Sequence, residues 1–164
     1  MPGGTGAEWA TWPRVSSWGE RMFAGMGRLP PRRQGDLGEF SAMEWLGTQR
    51  YSVWLPVGHS PDCDLIGEHG ERLLRIQVKT TTLYRRDRWI VSICTRGGNR
   101  SWNGIVKRFN ATRCDWLFVL VADGRRWFIP AAAVEGATGI NLGGPKYAEF
   151  EVNAGRPLHS SDER

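Results

Sequence analysis

A chain of 164 residues that is 40% hydrophobic and 24% charged has room for one domain with a real core. No apolar run reaches the ~18 residues of a membrane helix, and the first residues carry no apolar signal stretch, so neither membrane partner nor secretion is expected. The net charge of +5 favours anionic partners, and the 3 widely spaced cysteines, Cys63, Cys94 and Cys114, argue against a disulfide framework and for a reducing, cytoplasmic setting.

Residues 1–33 are broken by Gly3-Gly4, Gly6, Pro13, Gly25, Gly27 and Pro30-Pro31, and are expected to form a disordered or loosely attached leader. Met22 and Met26 are alternative starts within it. The ordered domain is expected over 34–153. It opens with a helix over 35–46, where Leu37, Phe40, Met43 and Leu46 fall at helical spacing, Asp36 is placed to cap and Gly47 marks the end. Tyr51–Pro56 alternates as a strand. Cys63–Gly67 and Leu73–Thr81 follow as a hairpin around Glu68-His69-Gly70-Glu71, and Trp89–Cys94 is the next strand. Thr95–Asn103 reads as a loop and Ile105–Ala111 as a second helix. Trp116–Ala122 is the most apolar run, fitting a buried central strand, and Arg126–Ile129 pairs back across the Asp123-Gly124 turn. A short helix over Pro130–Val134, an edge strand over Tyr147–Val152 and a polar tail over 154–164 complete the chain. Helix, three strands, helix and strands in this order predict an α/β fold, a mixed central sheet flanked by helices.

The run Leu73-Leu74-Arg75-Ile76-Gln77-Val78-Lys79-Thr80 alternates with period two. Arg75, Gln77 and Lys79 share one face and Leu74, Ile76 and Val78 the other. Asp64, directly before Leu65-Ile66, would bring a carboxylate from the preceding strand to Gln77 and Lys79. Oxygen ligands beside a lysine suit a magnesium ion that positions water against a phosphate. After this strand come Arg85, Arg86, Arg88, Arg96, Arg100, Lys107, Arg108 and Arg113, with Asp87 the only acid between them. Such a block is either a solvated face or a surface for the phosphates of DNA.

The ordered set Gly38-Glu39, Asp64-Leu65-Ile66 and Gln77-Val78-Lys79, followed by Cys114-Asp115-Trp116 and Trp127-Phe128-Ile129-Pro130, resembles the PD-(D/E)XK nuclease superfamily. It resembles in particular the Gln-x-Lys variant found in endonucleases associated with group I introns. The resemblance implies a restriction-endonuclease-like αβββαβ core and a metal-dependent DNA endonuclease, with homing as one possible role. It implies Glu39, Asp64, Gln77 and Lys79 as catalytic residues. Asp64, Gln77, the Val78 carbonyl and Glu39 would hold Mg²⁺, with Mn²⁺ as substitute. Arg85, Arg86, Arg88, Arg96, Arg100, Lys107 and Arg108 would hold double-stranded or branched DNA. One such site cuts one strand, so a homodimer or homotetramer is expected.

Each assignment has a rival. Asp62 spells the literal Pro-Asp, although Asp64 lies on the strand itself. Lys79 can serve as a plain strand lysine, and Glu39 as a plain helix acid. A zinc site from His59, Cys63, Cys94 and Cys114 lacks any Cys-x-x-Cys spacing. Trp102 is an aromatic in a basic loop, fit to touch DNA. A Holliday-junction resolvase, a restriction or repair nuclease, and a non-catalytic nucleic-acid-binding module remain as alternative functions.

Overall fold

Two opposed apolar surfaces need two covering layers, and the described residues supply one from a helix and one from a second sheet. The computed structural model describes residues 29–57, 63–96 and 106–158. Its elements are helix α1 (Pro31–Thr48) and strands β1 (Ser52–Trp54), β2 (Leu65–His69), β3 (Arg72–Thr81), β4 (Tyr84–Arg85) and β5 (Arg88–Ser92). Then come β6 (Thr95–Arg96), β7 (Val106–Lys107), β8 (Trp116–Val121), β9 (Arg126–Pro130), β10 (Gly139–Leu142) and β11 (Glu151–Val152). A six-stranded sheet runs β1-β2-β3-β8-β9-β11, and smaller sheets join β10-β5-β4 and β6-β7. Among the described residues the β3–β8 pairing is parallel and the other ladders are antiparallel.

Helix α1 begins at Pro31 rather than at residue 35, because proline's fixed φ suits the first helical turn. Leu29 ahead of it is buried. One apolar cluster joins Ala42, Trp45 and Leu46 of α1 to Leu65, Ile76, Val78, Phe118 and Leu120 of the central strands. A second, on the far face, joins Leu117, Val119 and Trp127 to Trp89, Val91, Ile140 and Leu142 of the β10-β5-β4 sheet. The alternation expected for β3 is therefore real, but its polar face is not solvated. The strand sits between β2 and β8 with a layer against each side.

Several expectations are corrected. No helix covers the described part, 106–111, of the expected second helix. Val106–Lys107 pairs as a strand with Thr95–Arg96, inside the expected loop. Phe109 is buried and exchanges backbone hydrogen bonds with Ala137 and Gly136 at 3.1 and 3.0 Å. A parallel pair needs a long crossover, and the described residues between β3 and β8 include strands of the smaller sheets. Pro145–Phe150 is 3₁₀-helical, leaving only Glu151–Val152 as edge strand. Strand β10, absent from the sequence reading, carries Ile140 and Leu142 inward. The chain past Asn153 still packs: Leu158 is buried, and its N–H donates to the Ala122 carbonyl at 2.8 Å.

Arg126 fixes this C-terminal stretch to α1. Its guanidinium is 3% exposed and donates to the carbonyls of Asn153 and Ala154, to Ser41 and to the Glu44 carboxylate. A buried cation is tolerable only when its donors are this fully engaged.

Candidate active site

Glycine at position 38 sets how near α1 lies to β3. A Cβ built there would sit 1.9 Å from Thr80 Oγ1 and 3.3 Å from both Thr80 Cβ and Val78 Cγ1. The Gln34 carboxamide donates to the Thr80 carbonyl at 3.0 Å and pins the first turns of the helix to the same point. The next residue after this close approach is Glu39. Its carboxyl is half-buried, and its pKa is raised by desolvation, then by the charge of Asp64, then by that of Asp36. Glu39 and Asp64 thus lie within each other's field although they come from different elements.

Asp64 immediately precedes β2. Its N–H donates to the Ile76 carbonyl at 2.9 Å, and its Oδ2 accepts the Val78 N–H at 2.7 Å. Leu65 pairs with Ile76, so Asp64 stands across from Gln77. One carboxylate oxygen is fixed by the backbone of β3, which orients the other. Asp62 and His59 lie outside the described residues.

Gln77 is 6% exposed, between the parallel neighbour Leu117 and the end of β2. No hydrogen bond of its carboxamide is seen among the described residues, and its N and O atoms are not among the fully buried ones left without a partner. Lys79 is half-buried opposite Val119 and forms no ion pair among the described residues. These two unpartnered groups share the β3 face that looks away from Ile76 and Val78, as the alternation predicts.

Arg75, on the same face, is employed structurally. Its Nε and Nη2 donate to the two carboxylate oxygens of Asp115 at 3.1 and 2.9 Å, and its own N–H donates to Oδ2 at 2.7 Å. The Asp115 N–H returns a bond to the Arg75 carbonyl at 2.8 Å. The hydrogen bonds from Arg75 hold the Asp115 carboxyl below its usual range. This clamp sets the parallel register at the mouth of β3 and β8. The sequence marked Asp115 without a role, and the role is this one.

The site offers two carboxylates, one carboxamide and main-chain carbonyls, all hard oxygen donors of the kind that suits Mg²⁺ or Mn²⁺. No cluster of three His, Cys, Asp or Glu side chains stands ready for a metal among the described residues. A zinc site is disfavoured on chemistry as well: burial pushes the Cys114 thiol up to about 11 and raises Cys63 too, so both stay protonated. The thiols of Cys63 and Cys114 donate instead to the carbonyls of Leu65 and Trp116 at 3.1 and 2.8 Å.

Of the basic residues, Arg85 and Arg86 are exposed and Arg88 half-buried around the β4–β5 hairpin. Arg108 is exposed and donates to the Gly136 carbonyl at 3.1 Å. Arg96 and Lys107 are described only as backbone in β6 and β7, and Arg100 and Trp102 lie outside the described residues.

A fold with a helix-borne acid beside a central strand, an acid on the neighbouring strand and an amide-x-lysine on the central one defines a nuclease class. The profile of the family described as PD-(D/E)XK endonuclease matches residues 30–140, and the chain belongs to that family. A solved structure, the bacterial homing endonuclease I-Ssp6803I, is similar in fold, with a TM-score of 0.63 and 17% identity over 73% of this chain and 87% of that one. The fold is thus restriction-endonuclease-like. Among curated proteins no relative matches. No described helix is long and apolar enough to cross a membrane.

Proposed function

We propose that this nuclease is a metal-dependent endonuclease that hydrolyses phosphodiester bonds in DNA, of the homing type. The observation that carries this is the pair Gln77 and Lys79. Both are withdrawn from bulk solvent on the central strand, lack structural partners, and face the end of β2 where Asp64 stands. A fold that needed these positions only for packing would fill them with apolar residues.

Asp64, Gln77, the Val78 carbonyl and Glu39 would supply oxygens to Mg²⁺, with Mn²⁺ as substitute. When bound, such a cation lowers the pKa of its water and stabilises charge on the phosphate. Asp64 is pre-aimed by the Val78 N–H. Glu39, with its pKa raised, accepts a proton from the attacking water more readily near neutral pH than an ordinary glutamate. Lys79 offers an unpaired ammonium to the developing negative charge. Gln77 contributes an oxygen without adding a third negative charge to a site that already repels a proton-free Glu39.

The basic hairpin and its neighbours, with Arg85, Arg86, Arg88, Arg96, Arg100, Lys107 and Arg108, are assigned to hold double-stranded or branched DNA. A single site cuts a single strand, so a homodimer or homotetramer is the working assembly. Cys63, Cys94 and Cys114 form no disulfide among the described residues, which fits a cytoplasmic setting.

The test combines plasmid DNA and a four-way junction with purified protein in Mg²⁺, Mn²⁺ or EDTA. Plasmid cutting that needs the metal, and that is lost in Asp64→Ala and Lys79→Ala while DNA binding persists, is the expected result. Selective cutting of the junction would make the protein a resolvase. Binding without cutting under every metal would leave a non-catalytic module.

A further inference from the structure

The hairpin that leaves the end of β3 is built in an unusual way. Its two central residues, Arg86 and Asp87, both have positive φ, 50° and 57°. Two positive values in a two-residue loop are the signature of a type I′ turn, for which glycine and asparagine are the easy choices. Here an arginine and an aspartate hold the apex instead. The root below them is rigid. Thr81 Oγ1, at the last position of β3, donates to the Ile90 carbonyl at 2.8 Å and accepts the Leu83 N–H at 3.1 Å. Tyr84 packs on the buried Trp89, ring centroids 4.7 Å apart.

The side chains at the tip are unengaged. Neither the Arg85 nor the Arg86 guanidinium, nor the Asp87 carboxylate, has a partner among the described residues, and the bond from Arg88 goes to the Asp87 main-chain oxygen. A cleft of about 610 Å³ opens beside them between Leu83, Ile90 and Asn141. An arginine-only tip would suit phosphate alone. A bare carboxylate at the apex does not, because phosphate oxygens repel it. The edges of bases offer both signs. In the major groove guanine presents two acceptors, N7 and O6, and its partner cytosine presents an N4 donor. A two-stranded ribbon is of a size to enter that groove. From Thr81 to Arg86 the chain extends at most roughly 17 Å, so the apex stays near the strand that carries Lys79.

We propose that the β4–β5 hairpin reads a G·C base pair in the major groove of duplex DNA, Arg86 donating to guanine N7 and O6 and Asp87 accepting from cytosine N4. This rests on the nuclease reading above and moves Arg86 from the residues that hold the backbone to a specificity element, leaving the other basic residues to hold phosphate.

The experiment cuts a library of duplexes, randomised around one position, with the full chain and Mg²⁺, and sequences the ends. Wild type should enrich a G·C pair at a fixed offset from the cut. Arg86→Gly, which suits the turn's φ, should lower that enrichment about tenfold. Asp87→Asn, which also accepts positive φ, should lower the same G·C enrichment by less, since Arg86 still reads the guanine. Salt dependence of binding to non-cognate duplex should barely move in either variant. An unchanged base preference with a log–log salt slope reduced by about 0.9 in Arg86→Gly would make the residue a phosphate contact and overturn the proposal. Cutting by wild type with no base preference near the site would overturn it while leaving the nuclease reading intact. Failure of wild type to cut any duplex would instead sink the nuclease reading itself.

Discussion

Gly38→Ala tests whether the closeness of α1 to β3 matters for chemistry and not only for packing. The new methyl carbon would lie 1.9 Å from Thr80 Oγ1, about 1.5 Å inside ordinary contact distance, with Thr80 Cβ and Val78 Cγ1 both at 3.3 Å. In an exposed helix the change from glycine to alanine gains about 1 kcal/mol. Overpacking at a tight contact costs about 1–3 kcal/mol. The net effect is a destabilisation of about 0–2 kcal/mol, or a fall in Tm of up to roughly 6 °C for a domain of this size. The larger effect falls on geometry. To make room α1 must back away from Thr80, taking Glu39 with it, and a displacement of 1 Å at a reacting group can cost about 100-fold in rate. Cleavage should therefore fall by about two orders of magnitude in a protein that still melts cooperatively. Thr80→Ala combined with Gly38→Ala removes the 1.9 Å clash and should recover most of the rate, since Thr80 Oγ1 has no hydrogen bond to lose. Single-turnover cleavage and thermal melts of wild type and these two variants decide the matter. If Gly38→Ala loses stability in full but cuts at the native rate, Glu39 is not held in place by this contact and the reasoning fails.

Gln77→Leu fills the same volume without an unpaired amide, so it should raise Tm or leave it unchanged while cleavage is lost, whereas Gln77→Glu should keep cleavage with a shifted metal preference; melts and cleavage in Mg²⁺ and Mn²⁺ check both. Arg126→Ala should destabilise the fold by about 3 kcal/mol, measured by urea denaturation, because it strands the carbonyls of Asn153 and Ala154 and leaves Glu44 alone. The lowered pKa of Asp115 gives stability that is present above the usual carboxylate range and is lost as pH falls through the folded value. Asp115→Asn should therefore flatten the acid limb of stability against pH, seen in melts from pH 6 down to pH 2.

Period-two alternation in Leu74–Lys79 was legible from sequence because β3 keeps one polar and one apolar face, and the whole candidate site hangs on that strand. Gly38 stood out in sequence beside Glu39, and the structure gives it a role, the close approach of α1 to Thr80. The failed helix over Ile105–Ala111 shows the limit. Ile105 and Phe109 are four residues apart, a helical spacing, yet Phe109 is held by backbone bonds to Gly136 and Ala137, nearly thirty residues away in sequence. Locally, Asn110 Oδ1 accepts from the N–H and hydroxyl of Thr112 at 2.8 and 2.7 Å, an alternative to helical bonding. Strand β10 escaped notice because Gly139-Ile140-Asn141-Leu142 is short and opens with glycine; only its ladder with β5 makes it a strand. Arg126 gave no signal at all, since its partners, the carbonyls of Asn153 and Ala154 with Ser41 and Glu44, lie far from it in sequence.

The choice of glutamine at position 77 follows from where β3 runs. A central strand covered on both faces can keep a charged side chain only with a partner beside it. Asp64 already stands opposite this position, and Glu39 already feels its charge. A third carboxylate there would be desolvated and repelled by Asp64 whenever the metal is away. A carboxamide keeps an oxygen at the same reach and removes that repulsion, at the cost of weaker attraction for the cation. The site then depends more steeply on its two remaining acids. Glu39→Gln makes this visible. Its folded pKa is raised, so the charged form opposes folding at neutral pH and the opposition vanishes as pH drops below the ordinary value near 4.5. In EDTA the variant should be more stable than wild type at pH 7 and indistinguishable at pH 4, and the stabilisation that Mg²⁺ gives wild type should shrink. A loss of stability at pH 7 without metal would mean that Glu39 serves the fold, and that the two carboxylates are not held together for a cation.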